Sequence, residues 1–75
     1  MHYASNEELP PFVREGLPEN AKDIFRRAFN RAYEAHRGEP RREDVAFRIA
    51  WEAVELEYRK VGQVWVSRAG PLPDL

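Results

Sequence analysis

Few side chains in this sequence combine a reactive type with a spacing that would let them react. Cysteine is absent, which excludes thiol nucleophiles, disulfides and Cys-rich metal clusters. The histidines are His2 and His36 only, too few for a structural zinc site. Ser5 and Ser67 form no visible nucleophile–base arrangement with them. The glycines, at positions 16, 38, 62 and 70, are isolated, so no glycine-rich loop can cradle a phosphate. Carboxylates are common, but they stand at helical spacing from bases: Asp23–Arg27, Asp44–Arg48, Arg48–Glu52 and Glu55–Arg59. That pattern predicts exposed ion pairs rather than a catalytic acid and base. His36 falls near the end of an expected helix, where it interacts with the dipole or caps carbonyls. This census predicts no enzyme, no bound metal and no cofactor.

What remains is recognition. Arg26, Arg27, Arg31, Arg37, Arg41 and Arg42 fall on one helix face and the turn after it, a spacing that can track phosphates. Ile49 and Leu56 form an apolar set away from the expected core, a candidate anchor for another protein. Phe25, Phe29, Phe47, Trp51 and Tyr58 belong inside. Tyr3 and Trp65 are expected to cover the bottom of the helix pair rather than stack on nucleobases.

The elements that position these residues can be read from period and punctuation. Ser5 and Glu8 have capping-box spacing. Pro10-Pro11 then favours a helix start, giving one short helix over Phe12–Glu15 that Gly16 ends. From Pro18 to Arg37, Ala21, Ile24, Phe25, Ala28, Phe29, Ala32 and Ala35 repeat with a 3.6-residue period. Asp23, Arg26, Arg27, Asn30, Arg31, Glu34 and Arg37 take the opposite face, and Gly38 and Pro40 stop the run. A second helix spans about Pro40 to Lys60. Its main stripe is Phe47, Ala50, Trp51, Val54, Tyr58 and Val61, while Val45, Ile49 and Leu56 point nearly the other way. A helix apolar on two sides is central or meets a partner. After Gly62, Val64-Trp65-Val66 reads as a strand, with His2-Tyr3-Ala4 as its expected mate.

Size and charge set the bounds. The chain has 75 residues, enough for one small domain over 1–75 with thin stability, and residues 71–75 are expected to be a flexible tail. No run reaches the ~18 apolar residues of a membrane span, and no secretory pattern follows the start, so a soluble cytoplasmic domain is expected. The net charge of −1 hides a basic middle segment between acidic flanks.

The punctuation and the two helices together resemble the ChaB family, small bacterial proteins named for cation transport regulation. The matching residues are Tyr3, the twin steps Leu9-Pro10 and Leu17-Pro18, then Ala21, Ile24-Phe25, Ala28-Phe29-Asn30 and Ala32. Ala46, Ala50-Trp51, Ala53-Val54 and Glu57-Tyr58 complete the set, which spans residues 3 to 60. The tail departs from it: relatives often end in a lysine-rich stretch where this chain has Val64-Trp65-Val66. The resemblance implies a small helical domain without catalytic activity that regulates a cation/proton antiporter by protein contact. Similar domains in phage and insect-virus proteins, or joined to termination-factor-like modules, imply nucleic-acid association instead. The resemblance carries no catalytic or ligand-binding residues onto this chain.

The expected fold is all-α: a short N-terminal helix across two long antiparallel helices, with the termini paired as a short β-ribbon. The expected function is a non-enzymatic contact module whose partner is a protein, a cation antiporter, engaged through Ile49 and Leu56. The alternative is nucleic-acid binding through the six arginines, which salt would weaken steeply.

Overall fold

The structure is a computed structural model, and it describes residues 2–69. The expected tail at 71–75 lies outside the described residues. A 3-10 turn at Asn6–Glu8 leads to α1 (Pro11–Arg14), α2 (Glu19–Ala35), α3 (Arg42–Glu57), β1 (Tyr58–Val61) and β2 (Val64–Ser67). The two long helices, their mutual packing and the short N-terminal helix are as the sequence predicts.

The core forms where the two helical stripes meet. Ala21, Phe25, Phe29 and Ala32 of α2 are buried against Ala46, Ala50 and Val54 of α3. Alanines at four of these seven positions let the helices close while the phenylalanines fill the space between them. Leu9, Val13 and Leu17, from the proline-punctuated N-terminal segment, and Tyr58, just after α3, complete the cluster. Phe25 and Phe29 touch Phe47, and Phe25 meets Trp51 edge-on at 5.0 Å. Gly38, at φ +89°, supplies the left-handed residue after α2.

Polar side chains fix the corners. Arg42 donates from Nε and Nη2 to the Tyr33 carbonyl (3.1 and 2.7 Å), and its guanidinium lies 3.6 Å from the Tyr33 ring centre. One residue thus satisfies an open carbonyl at the end of α2 and ties it to the start of α3. Asn6 bridges the 3-10 turn to α2: its amide donates to Asp23 Oδ1 at 2.7 Å and its oxygen accepts from Arg26 Nε at 2.8 Å. The capping box at Ser5 is incomplete, since Ser5 makes no side-chain bond and Glu8 accepts from the Ala4 N–H instead.

The ribbon is real, but its expected pairing of the termini is not what forms. β2 pairs antiparallel with β1, in the register Tyr58↔Ser67 to Val61↔Val64, and not with His2-Tyr3-Ala4. The α3 helix stops at Glu57, because Tyr58 turns extended (φ −133°, ψ 156°). Gly62 takes φ +62° and Gln63 a negative φ, the two-residue turn that matches the twist of a hairpin. Closing this local loop costs less chain entropy than joining the termini. Val54, Tyr58 and Val61 continue the helical spacing, which disguises the first strand. Arg68 seals the junction, donating its N–H to the Glu57 carbonyl and its Nε to the Glu55 carbonyl, both at 2.8 Å.

The N-terminal segment finds another mate. Asn30 Oδ1 accepts from the Tyr3 N–H (2.9 Å) and the His2 N–H (3.2 Å), and Asn30 Nδ2 donates to the Tyr3 carbonyl (2.8 Å). A side-chain amide here offers the donor and acceptor a neighbouring strand would offer. The sequence pattern puts Asn30 on the solvent face of α2; it is in fact buried, at 9% exposure.

Candidate protein-contact surface

The face of α3 turned away from the core carries Val45, Ile49 and Leu56, four and seven residues apart, so they fall along one stripe. Val45 lies in a shallow groove with Arg41, Asp44 and Arg48. Ile49 is half-buried and leans on the edge of the core. Leu56, on the last turn, is 79% exposed. The two expected anchors are therefore unequal: Leu56 stands free, and Ile49 gives part of its surface to the fold.

The hairpin adds to the same end of the molecule. Trp65 stacks on Trp51 of α3 at 5.9 Å and 22°, so the face bearing Tyr58, Lys60, Trp65 and Ser67 turns to the helices. Arg59, Val61, Val64 and Val66 share the other face, and Val64 is 61% exposed. Arg59 Nε is shielded there without a hydrogen-bond partner among the described residues. Trp65 and Tyr3 cover the helix pair, as expected; the Tyr3 ring lies 4.9 Å from Phe29, and burial pushes its hydroxyl pKa up.

The six arginines do not form one open track. Arg26 is held by Asn6 and Asp23, Arg37 pairs with Glu34, Arg41 with Asp44 at 3.3 Å, and Arg42 with the Tyr33 carbonyl. Arg27 and Arg31, one turn apart and exposed, make no hydrogen bond or ion pair among the described residues. The described ion pairs follow i,i+3 spacing, including Lys22–Glu19 (2.9 Å), where the sequence predicts i,i+4. The hydrogen bond from Lys22, then that from Asn6, keeps Glu19 below its usual range. Asn6 first, then Arg26 and Arg27, do the same for Asp23, against some desolvation, and Arg37 does so for Glu34. His36 meets Glu39 Oε2 at 2.7 Å rather than a carbonyl. Among the described residues, no group of three or more His, Asp or Glu side chains is placed to hold a metal ion. Nor is any helix there long and apolar enough to cross a membrane.

Sequence reasoning missed the polar residues that hold the surface in place, Asn6, Asn30, Arg42 and Arg68. Asn30 alone left a signal, because it falls inside the Ala-Phe-Asn step that carries the family resemblance.

Comparison with known proteins agrees with this architecture. The family model described as ChaB matches residues 9–68. A protein of Escherichia coli (strain K12), named "Putative cation transport regulator ChaB", is 38% identical over 66 residues, covering 80% of this chain and 87% of the relative. A Shigella flexneri protein of the same name matches equally. The solution NMR structure of a protein so named superposes with a TM-score of 0.80 at 34% identity, covering 89% of this chain and 99% of that one. The match to residues 9–68 takes in the hairpin as well as the helices. By sequence and by fold, this chain belongs to the ChaB family.

Proposed function

We propose that this chain is a non-enzymatic regulator of cation transport in the cytoplasm. It acts by docking the outer stripe of α3 onto a cation/proton antiporter. The observation that carries the reading is Leu56, a large apolar side chain left 79% exposed at the end of a helix whose other face is fully used by the core. Relatives named for cation transport regulation supply the class of target. Val45 and Ile49 extend the stripe, and the groove beside Val45 is lined by Arg41, Asp44 and Arg48, charges of both signs, so the matching surface is chiefly apolar. Burying Leu56 contributes about 1.5–3 kcal/mol, roughly tenfold to a hundredfold in affinity.

The test is antiport in membrane vesicles with the purified chain added. The intact chain shifts the exchange rate, and Leu56→Asp, folded, does not. An unchanged rate with the intact chain, or an equal shift with both, rejects the proposal. Phosphate tracking is the weaker reading, because four of its six arginines are already held within the chain.

A further inference from the structure

A two-stranded ribbon has two free edges, and in this chain they differ. β1 carries Arg59 and Lys60, and charges of this kind keep an edge from pairing with other strands. β2 is Val64-Trp65-Val66-Ser67, with no charge, proline or glycine. Val61 and Val64 close the two-residue turn, so hydrogen-bonded pairs alternate from there: Val61 with Val64, then Arg59 with Val66. Val64 and Val66 therefore direct their backbone groups to β1. Trp65 and Ser67 direct theirs outward, and among the described residues those outward N–H and C=O groups have no partner.

That pattern is its own complement. We propose that β2 pairs antiparallel with β2 of a second copy about a two-fold axis through Val66, giving a four-stranded sheet in the order β1-β2-β2-β1. In this register Trp65 and Ser67 of each copy exchange both backbone bonds with Ser67 and Trp65 of the other. The indole stays on the helix side beside a small serine, so bulk meets space. Val66 faces Val66 across the axis, and β2 brings no charge to the contact. The net charge of −1 puts little repulsion between copies. With no charge between Val64 and Ser67, a second copy of the same strand meets no like charge from β2 in this register. This pairing uses the edge of the ribbon and leaves the stripe of α3 open, so it stands independently of the antiporter reading. The contact is small, so the association is weak and depends on concentration.

The experiment is sedimentation equilibrium with amide hydrogen exchange on the full chain, from micromolar to millimolar concentration. The expected result is a mass rising toward twice the monomer. Exchange at the Trp65 and Ser67 amides slows about tenfold, while the Val64 and Val66 amides, already bonded, change little. Val66→Lys, which sets two ammonium groups against each other at the axis, keeps its thermal melt and stays monomeric. A monomer mass throughout, with Trp65 and Ser67 exchanging equally fast at both limits, overturns the proposal. So does a dimer that leaves those two amides unprotected, because it uses another surface. The exchange of the unaltered chain decides the matter even where the substituted chain fails to fold.

Discussion

Asn30 shows how much of this fold hangs on single polar side chains. Its amide replaces a strand for the N-terminal segment, and it is buried, so losing it strands three backbone groups at once. Asn30→Ala should cost about 1–3 kcal/mol in urea unfolding and free the Tyr3 amide to exchange. Asn30→Asp should recover part of that, since a carboxylate accepts from both N–H groups but cannot donate to the Tyr3 carbonyl. Arg59 is the opposite case. Its Nε is shielded without a partner, so Arg59→Met should keep the hydrocarbon packing and raise stability by about 1 kcal/mol, read as a higher Tm. Neither residue announces itself in the sequence. Apolar residues reveal themselves by period, whereas an asparagine on an arginine-rich face looks solvated until the chain that covers it is placed.

At the scale of elements, the helices and the strand at Val64-Trp65-Val66 were legible, and that strand's pairing with β1 was not. Phe25, Phe29, Ala46, Ala50 and Val54 sit where a 3.6-residue period puts them, because burial of one stripe is what makes each helix. Tyr58 and Val61 keep the same period for one more turn, so local pattern favoured helix; the turn at Gly62 and the sealing bonds of Arg68 favoured strand. Gly62 holds φ +62°, which a side chain resists, so Gly62→Ala should loosen the hairpin by about 1 kcal/mol. The fluorescence of the stacked Trp51–Trp65 pair reports it, and an unchanged spectrum and Tm would contradict the turn's role. The 3-10 turn is fastened to α2 through Asp23, whose pKa is lowered chiefly by Asn6. A lowered carboxylate adds stability above its unfolded pKa and loses it as pH falls through the folded value. Asn6→Ala should therefore destabilise near neutral pH, and its difference from the unaltered chain should shrink as pH falls through the folded value of Asp23.

For the whole molecule, charge is partly balanced locally as well as in sum: Glu19, Asp23, Glu34 and Asp44 each hold a base one turn away. Beside these pairs the fold leaves a small apolar surface, on which Leu56 is 79% exposed. The same economy limits stability, since one shared core supports the entire chain; Phe25→Ala should cost about 3–5 kcal/mol and leave little folded protein. The candidate anchor was half legible. The two-sided apolar pattern of α3 named Ile49 and Leu56, but only the packing separates the residue that supports the core from the one that stands free. The most direct measurement is binding of the purified chain to antiporter proteoliposomes at low salt and at about half-molar salt, where charge contacts are screened. An apolar anchor predicts affinity that holds within about twofold across that range and falls at least about tenfold in Leu56→Asp. No binding, or binding that salt abolishes and Leu56→Asp leaves untouched, would contradict it.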